Sequence, residues 1–350
     1  MAPYNSSPLV SIVNVTWNGQ KLLENHLPSL DAIHYPNKEV FIIDNGSIDG
    51  SVEFVNKNYP NFKIIQNSTN LGTAEGSNVA INACSGKYIF WVSNDMEFDP
   101  EIVTRLVERC EYDDTVGICT VKMRRFIDGK KTEIIDSVGA SLDFLGFPSS
   151  IGINDHDYGQ HDNFKEVFFS FGGALFIKKD LAIQTHGYDD AFLTLTDDID
   201  LCWRVRLLGY KVMVEPKALL YHRVSATLSK SHNRSEKRYL SERNTLRTLL
   251  KNYSIILLIT IFLPYIILLI SESLFFFALG KRSIAKSNLR ALIWNIKNYK
   301  STLEKRAYVQ GNRKVSDFQI IIKMTLFPNK LLIFYDFVKN WNTKNWRMYF

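Results

Sequence analysis

The first hundred residues alternate between continuous apolar runs and stretches with helical patterning, and this alternation restricts the chain to few folds. The apolar runs "LVSIVNVTW", "EVFIIDNGS", "FKIIQN" and "YIFWVS" predict four strands. Helical stretches fall between them, near Lys21–Leu30 and in "SIDGSVEFVNKNY" and "TAEGSNVAINAC". Strands that are apolar along their length and alternate with helices form mostly parallel sheets covered on both faces. The sequence therefore predicts an α/β fold.

Polar side chains follow the predicted strands at their carboxyl ends. Thr16 and Asn18 follow the first strand, Asp44 and Asn45 close the second, and Asp95 follows the fourth. Ligands bind at this edge of open α/β sheets, so these residues predict a binding cleft. The turn "TWNGQK" after the first strand has no GxGxxG, and the chain has no GxxxxGK[ST]. Both facts argue against a dinucleotide cofactor and an ATP-hydrolysing P-loop.

The fourth strand ends in "SNDMEFDP", where one residue separates Asp95 from Glu97. Neighbouring carboxylates repel each other and are costly to desolvate. Mg²⁺ typically binds through one or two carboxylates together with substrate phosphates. The pair therefore predicts a divalent-cation site facing a diphosphate. A solvated turn, with Asp99 and Pro100 starting the next helix, is the alternative on these residues alone.

A second acidic cluster, Asp197, Asp198 and Asp200, opens an apolar-periodic helix in "FLTLTDDIDLCWRVRLLGYKV". The helix dipole favours acids in a first turn by about 0.3–1 kcal/mol, and Asp200 and Arg204 form an i,i+4 pair. These effects account for Asp200, but not for three acids preceded by an uncharged loop. A carboxylate at a helix start beside a cleft can take a proton from an acceptor hydroxyl, as a general base.

Two further positions are suggested by their neighbours in the sequence. His222 directly follows the apolar strand "ALLY", and a histidine there is either structural or a metal or diphosphate contact. Gly172 and Gly173 precede the apolar strand in "FSFGGALFIKKD". Small residues at such a place permit either the close approach of a ligand or a bulge.

Charge is distributed unevenly along the chain. Residues 229–350 hold 22 Lys and Arg against 6 Asp and Glu, whereas residues 1–228 hold 20 against 30. A basic half suits nucleic acid or anionic lipid. Within it, Tyr253–Leu279 is apolar and long enough to span a bilayer. The last segment, "DFQIIIKMTLFPNKLLIFYDFVKNW", mixes apolar residues with lysines as interfacial elements do. Lipid therefore explains the basic half better than nucleic acid.

The topology of the apolar segment stays open on sequence alone. Lys and Arg crowd both flanks, so the positive-inside rule gives no orientation, and Pro264 and Glu272 interrupt the run. A single span, a re-entrant hairpin with both ends cytoplasmic and a buried core helix are the alternatives.

Four cysteines without metal or disulfide spacing predict reduced thiols, and the start "MAPYNSSPLV" predicts no signal peptide.

Seven motifs occur in an order and spacing that resemble the family-2 glycosyltransferases, in their rhamnosyltransferase-like branch. They are "VSIVNVTWNG", "IIDNGSIDGS", "NLGTAEGSN", "SNDMEFDP", "FGGALFIKK", "GYDDAFLTLTDDIDLCWRVRLLGYKV" and "YHRVSATL". The resemblance covers roughly residues 8–228. It implies the GT-A fold with a mostly parallel, Rossmann-like sheet, a nucleoside-diphosphate sugar donor, Mg²⁺ or Mn²⁺ as cofactor, and inversion at the anomeric centre.

The resemblance also implies a role for each motif residue. The residues implied at the donor site are Thr16, Asn18, Asp44, Asn94, Asp95 and Asp197, the last replacing the family's usual Glu. The residues implied as metal ligands are Asp95, Glu97 and His222. Asp198 is implied as the general base, with Gly172 and Gly173 completing the binding set beside the acceptor and Arg204 bracing the helix.

These expectations combine into a membrane-bound inverting glycosyltransferase that acts on a lipid-linked glycan or a surface polysaccharide. Its expected parts are a catalytic domain at 1–228, a basic helix or linker at 229–252, the membrane segment at 253–279 and a basic amphipathic tail at 280–350. We expect it at the cell membrane, with the catalytic domain facing the cytoplasm and with membrane lipids, not nucleic acid, as partners. Two alternatives stay open: a polyprenyl-phosphate sugar synthase, whose anionic acceptor needs no base, and a non-catalytic, membrane-tethered sugar-binding module.

Overall fold

The computed structural model describes residues 7–223 and 233–331. The end of the motif "YHRVSATL" and the segment "LIFYDFVKNW" therefore lie outside the described residues. The chain divides into two compact units. The first unit comprises residues 7–140 and 150–223, and the second comprises residues 141–149 and 233–331.

The first unit contains twelve strands and six helices among its described residues, and two of the strands cross its boundary. The strands are β1 (Val10–Thr16), β2 (Lys38–Asp44), β3 (Lys63–Gln66), β4 (Tyr88–Val92), β5 (Met96–Phe98), β6 (Val116–Ile127), β7 (Lys130–Ser137), β8 (Ala140–Leu142), β9 (Pro148–Ser150), β10 (Lys165–Glu166), β11 (Ala174–Lys178) and β12 (Lys211–His222). The helices are α1 (Gln20–Asp31), α2 (Ser51–Asn58), α3 (Gly72–Ala83), α4 (Ile102–Tyr112), α5 (Lys179–Gln184) and α6 (Asp197–Leu207).

The main sheet has the strand order β10-β12-β6-β11-β4-β1-β2-β3, with β5 paired to β12 and β7 paired to β6. The strands β3, β2, β1 and β4 are parallel, as the sequence predicted. β11 then runs antiparallel to both β4 and β6, and β12 is parallel to β6. The mostly parallel α/β sheet is confirmed, and the antiparallel β11 is what the strand pattern alone did not predict. β8 and β9 form a separate two-stranded sheet.

Helices cover both faces of this sheet, which explains why its strands are apolar along their whole length. On one face, Leu23 and Leu27 of α1 and Leu106 of α4 pack against Ile12 and Phe90, all fully buried. On the other face, α3 packs against β1 and β2. Burying each such side chain contributes about 1.5–3 kcal/mol. The packed sheet is thus a rigid base for the loops at its carboxyl edge.

The second unit is helical. Its helices are α7 (Arg234–Asn252), α8 (Ile255–Ala278), α9 (Arg282–Lys297), α10 (Tyr299–Gly311) and α11 (Asp317–Ile321). Asn233 and Ser254 cap the first two, each accepting a bond from a backbone N–H three residues on. α9 and α10 pack against α7. Among the described residues, α8 is the one helix long and apolar enough to cross a membrane by length and composition, with a mean hydropathy of 2.5.

The segment 141–149 falls within the expected catalytic domain at 1–228 but belongs to the second unit. The Tyr253 hydroxyl donates to the Phe144 carbonyl at 2.7 Å, and the side-chain amide of Asn329 donates to the Phe147 carbonyl at 2.8 Å. The Phe147 ring also stacks on Tyr265, with centroids 5.6 Å apart. These contacts join positions about a hundred residues or more apart, so local patterning could not reveal them.

All four cysteines lie in the described residues of the first unit, are buried and form no disulfide. Burial raises the pKa of the Cys84 thiol to about 11 and that of Cys202 to about 12. These two thiols are therefore protonated at neutral pH and act as small apolar side chains.

Candidate functional site

The carboxyl ends of β1, β2 and β4 meet at one edge of the sheet. Thr16 pairs with Asp44 across the β1–β2 ladder, and the Thr16 hydroxyl oxygen accepts from the side-chain amide of Asn94 at 3.3 Å. The Thr16 carbonyl accepts from the Asn45 amide at 2.9 Å. Thr16, Asp44 and Asn94 are all buried. The structure therefore places these three donor-site candidates next to each other.

Asn18 connects the two loops that leave β1 and β2. It adopts a left-handed backbone conformation with φ of 45°. Its backbone N–H donates to the Ser47 hydroxyl at 2.8 Å, and its side-chain oxygen accepts from the Ile48 amide at 2.9 Å. The Asp44 carboxylate in turn accepts from the Ser47 amide at 3.1 Å. Asn18 is exposed, so it shapes the rim of the cleft rather than its floor.

His222 lies between two carboxylates. Its Nδ1 is 2.8 Å from Asp136 Oδ2, and its Nε2 is 3.6 Å from Asp95 Oδ2. Burial alone would lower the pKa of His222, but hydrogen bonds and charge from Asp136 and Asp95 raise the pKa to about 9. The ring is therefore an imidazolium at neutral pH. Arg125 donates to the other oxygen of Asp136 at 3.2 Å and holds that carboxylate in place.

Asp95 retains one oxygen for a ligand. The residue is 6% exposed, and its Oδ1 is buried without a hydrogen-bond partner among the described residues. Burial would raise the pKa of Asp95, yet the hydrogen bond and the charge of His222 lower it, so the carboxylate is ionised. A buried anionic oxygen without a donor costs free energy that a bound cation would recover. Asp95 thus fits a divalent cation.

Glu97 is engaged differently from Asp95. It lies on β5, and its carboxylate pairs with Lys131 at 2.7 Å and with Arg223 at 3.3 Å. Met96 between the two acids points into the core. No group of three His, Cys, Asp or Glu residues that would hold a metal is present in the part of the chain that the structure describes. Asp95 fits a cation that completes its shell on substrate phosphates. His222 would join as a ligand only after releasing its Nε2 proton, because a ligating imidazole is neutral, and Glu97 would first have to exchange its two basic partners.

The second acidic cluster begins α6. Asp198 Oδ2 accepts from the Gly172 amide at 2.9 Å, and Oδ1 accepts from the Ile199 amide at 2.8 Å. Burial raises the pKa of Asp198 to about 6 and, together with the charge of Asp198, raises the pKa of Asp197 to about 7. A carboxyl poised near neutrality is suited to proton transfer. Asp198 as a residue is half-buried rather than fully buried, which leaves part of it accessible to an acceptor.

Gly172 and Gly173 connect the two acidic clusters. They precede β11, whose Ala174 pairs with Val92 at the end of β4, and the Gly173 carbonyl accepts from the Ser93 amide at 2.9 Å. A Cβ at position 173 would lie 2.5 Å from the terminal methyl of Met96, so glycine is needed there for packing. At 172 the backbone amide binds the candidate base. The glycines therefore bring α6 to the edge that carries Asp95.

The loop before α6 is held in a strained conformation. Leu195 and Thr196 have φ of 68° and 66°, a region that costs non-glycine residues of order 1–3 kcal/mol each. The Leu193 carbonyl accepts from the Thr73 amide of α3 at 2.9 Å, and this contact helps to hold the loop. The expected i,i+4 pair is present, since Arg204 donates to Asp200 at 2.8 Å.

Sequence reasoning missed two features of this site. Asp136 lies in "EIIDSVG", whose only signal was an acid among β-branched residues, and its partner His222 is 86 residues away. The strained pair Leu195 and Thr196 carries no glycine or asparagine, so nothing in "TLT" indicated positive φ. An acid within a strand pattern that ends near the predicted cleft was the one usable hint for Asp136.

Comparisons with known proteins bear on the family and the fold of the chain. The family model described as Glycosyl transferase family 2 matches residues 11–184. The poly-beta-1,6-N-acetyl-D-glucosamine synthase of Staphylococcus epidermidis is 25% identical over 239 residues, covering 65% of this chain and 55% of the relative. The synthase of the same name from Staphylococcus aureus strain COL is 25% identical over 221 residues, covering 63% and 51%. The chain thus spans about half the length of the curated relatives it matches.

Two solved structures share the fold. GalNAc-T7 with UDP, GalNAc and Mn²⁺ superimposes with a TM-score of 0.55 at 15% identity, over 70% of this chain and 48% of that one. The mannosyltransferase of Pyrobaculum calidifontis, in complex with GDP-Man and Mn²⁺, gives 0.52 at 14% identity, over 88% and 86%. The GT-A fold expected from the motifs is confirmed. Residues 11–184, which lie in the first unit except for 141–149, are therefore a glycosyl transferase family 2 domain.

Proposed function

We propose that this protein transfers a sugar from a nucleoside-diphosphate sugar to an acceptor hydroxyl, with inversion of the anomeric centre. One observation carries the proposal: Asp95, a carboxylate with an unpartnered buried oxygen, and Asp198, a carboxylate with a raised pKa, lie at the same sheet edge and are connected through Gly172 and Gly173. Inverting transfer in a single displacement needs a centre that stabilises the leaving diphosphate and a second that activates the nucleophile.

The donor end of the cleft is formed by Thr16, Asn18 and Asp44, whose loops are tied together by Ser47. A nucleoside placed there directs its diphosphate toward Asp95 and His222. A divalent cation, when bound at Asp95, would supply Lewis-acid stabilisation of the leaving diphosphate, worth several kcal/mol. His222, whose Nδ1 is held by Asp136, would complete the cation site as a neutral ligand once its Nε2 proton is released.

The acceptor end is formed by Asp198. Its carboxylate takes the proton of the acceptor hydroxyl while that oxygen bonds to the anomeric carbon. The bond from that carbon to the phosphate oxygen breaks, and the electron pair leaves with the nucleoside diphosphate. The Gly172 and Ile199 amides each fix one carboxylate oxygen, and each oxygen keeps a further lone pair for the acceptor hydroxyl. No covalent sugar–enzyme intermediate is required in this scheme.

For the acceptor we propose a lipid-linked glycan or surface polysaccharide at the membrane. The relatives' names describe synthases of a polysaccharide, and α8 has the length and composition of a membrane helix. The basic second unit supports attraction to anionic lipid. We place the catalytic unit on the cytoplasmic side and assign no role to nucleic acid.

The test uses the full chain reconstituted with membranes and a panel of nucleotide sugars with Mn²⁺ or Mg²⁺. We expect Asp198→Asn to lower turnover by about 10²–10⁴-fold, the usual contribution of a general base. Asp95→Ala should lower turnover and raise the metal concentration required. Asp180→Asn, at an exposed acid of α5, is the control and should leave turnover unchanged. If both site variants keep wild-type turnover, the proposal is wrong.

The polyprenyl-phosphate alternative gives a different result in the same assay. A phosphate acceptor is already an anion and needs no base. Full transfer by Asp198→Asn to a bare polyprenyl phosphate would therefore select a sugar synthase of that class. Tight nucleotide-sugar binding without turnover would instead indicate a non-catalytic module.

A further inference from the structure

The second unit reverses the usual distribution of charged and apolar side chains. α7 buries Glu242, Arg243, Arg247 and Lys251, each 8% exposed or less. α8 instead exposes much of its apolar surface. The exposed apolar residues of α8 are Ile255, Ile256, Ile259, Leu263, Ile267, Ile270, Leu274 and Phe277. A contiguous apolar surface of this kind marks an interaction site rather than ordinary surface composition.

The exposed residues of α8 form one stripe, which we call the apolar stripe. Ile259, Leu263, Ile267, Ile270 and Leu274 follow one another at intervals of three or four residues, so they share a helix face. Their exposed fractions run from 43% to 68%. The apolar stripe therefore extends along most of a helix about 36 Å long, at 1.5 Å per residue.

The opposite face of α8 packs on polar protein. The Tyr265 hydroxyl donates to Glu242 Oε2 at 2.6 Å, and the Ser273 hydroxyl donates to the Ala285 carbonyl at 2.9 Å. Glu272 pairs with Arg238 of α7 and, at 2.7 Å, with Lys330. The apolar stripe of α8 is thus suited to contact lipid or another apolar partner, and the opposite face contacts the charged helix α7.

α9 returns antiparallel along α8, and this decides against a span. Ala285 lies beside Ser273, and the Asn288 side chain reaches the Leu269 carbonyl at 3.3 Å. Continuing this register, Arg290 stands beside the middle of α8, and Lys286 stands about one turn closer to the C-terminal end of α8. Both residues are exposed. A membrane-crossing α8 would bring both cations into the hydrocarbon core, and Arg290 near its centre, where Lys and Arg are strongly disfavoured.

We propose that the second unit docks on one leaflet of an anionic membrane with α8 lying in the bilayer plane. The apolar stripe enters the boundary between headgroups and acyl chains, to a depth of about 5–10 Å. Exposed bases on the same unit contact anionic headgroups; they are Lys281, Arg282, Lys286, Lys297 and Lys323. This mode replaces both the single span and the re-entrant hairpin, and it rests on the membrane location in the proposed function.

Two further groups of exposed apolar side chains agree with an in-plane arrangement. Leu289, Ile293 and Ile296 are 47% to 70% exposed on α9. Phe318 and Leu326, near α11, are 73% and 75% exposed. They alternate along the sequence with exposed basic residues, which is the composition of interfacial elements rather than of spanning helices.

The first test measures binding of the purified full chain to sedimentable vesicles. We expect binding to vesicles that contain phosphatidylglycerol and weaker binding to neutral phosphatidylcholine vesicles. Ile267→Glu in the apolar stripe should weaken binding by roughly tenfold or more. Ile183→Glu, at an exposed isoleucine of the first unit, is the matched control and should bind as the unchanged protein does. Equal binding by both variants would overturn the proposal.

The second test measures depth. Nitroxide labels are attached through cysteines replacing Ile259, Ile267 and Leu274 in the full chain bound to vesicles; the four native cysteines are buried. In-plane docking predicts that all three labels lie at one shallow depth. A label at 267 near the bilayer centre, about 15 Å down, with shallower neighbours would show a span or hairpin. A label at 267 that is shielded in solution without lipid would show that a second copy or another segment covers the stripe, and would also overturn the proposal.

These outcomes are separable from the proposed function. Sugar transfer to a soluble acceptor analogue depends on the first unit, so it should persist in Ile267→Glu. Loss of vesicle binding with retained transfer supports the docking surface. Absence of transfer in the unchanged protein, with intact vesicle binding, contradicts only the proposed function.

Discussion

The two units of this protein distribute apolar and charged side chains in opposite ways. The first unit buries Ile12, Phe90 and Leu106 inside and carries its acids at the sheet edge. The second unit buries ionised side chains in α7 and exposes the apolar stripe of α8. A core of the first kind is stable because water surrounds it. The second arrangement fits the proposed membrane docking, in which the exposed apolar face does not meet water.

The largest expected effect concerns the buried charges of the second unit. Lys330 contacts Glu242 at 2.9 Å and Glu272 at 2.7 Å. Lys330→Met leaves acidic partners buried with less compensation, so it should lower stability by about 3–5 kcal/mol. Calorimetry of the unfolding transition measures this loss. The control is Arg105→Ala in the exposed Arg105–Glu108 pair, for which we expect about 0–1 kcal/mol. Equal losses of stability in Lys330→Met and Arg105→Ala would contradict the claim that the second unit depends on its buried charges.

The next effect compares leucines in the two units. Leu106 is fully buried in the first unit, whereas Leu263 of the apolar stripe is 63% exposed. Leu106→Ala should lower the free energy of unfolding by about 2–5 kcal/mol because it opens a cavity. Leu263→Ala should change it by less than about 0.5 kcal/mol without lipid. Denaturant unfolding measures both. A large loss for Leu263→Ala would mean that the stripe is a core in solution.

Asp197 is an exception in the first unit, because it is an acid that is buried rather than exposed. Burial and the charge of Asp198 raise the pKa of Asp197 to about 7 in the folded protein. The unfolded chain ionises more easily, so the folded state loses stability as pH rises from about 4 to 7. Asp197→Asn should therefore raise stability by about 1–3 kcal/mol at pH 7.5. The gain should vanish near pH 3.5, where both states are protonated; a gain equal at the two pH values would contradict this cause.

The smallest expected effect concerns Asp136, which positions His222. Asp136→Asn should lower Mn²⁺ affinity by about 10–100-fold, the usual cost of losing a partner of a metal-binding histidine. Titration followed by the EPR signal of free Mn²⁺ measures this without reference to turnover. Glu133→Gln, on the same hairpin, is the control. Unchanged Mn²⁺ affinity in Asp136→Asn would show that His222 does not depend on its carboxylate partner.

Several elements were predictable because their signals are local. β1, β2, β3 and β4 carry continuous apolar runs, and α1 and α3 carry helical periodicity, so their order and their parallel arrangement followed from pattern and connection rules. The acids at 95 and 198 were found for the same reason: each stands where a predicted strand or helix meets a loop. Asp44 and Thr16 followed from the ends of their strands.

Other features depended on contacts that no local pattern records. Glu97 was expected beside Asp95 as a metal ligand, a role that stays a prediction, but its position on β5 places it against Lys131 and Arg223. Arg223 lies 126 residues away from Glu97 in the sequence. The membership of 141–149 in the second unit has the same origin.

By itself, the sequence determined the order of strands and helices, the acids at the sheet edge and the presence of one long apolar helix. These properties follow from side-chain periodicity and from residue type at element ends, which act over a few residues. Only the tertiary structure decided that Asp136 orients His222, that Gly172 binds Asp198, and that α8 lies against a charged helix with one apolar face outward. Each of these is a contact between segments that are distant in the sequence. Such a contact stabilises the protein only after folding has brought the two segments together.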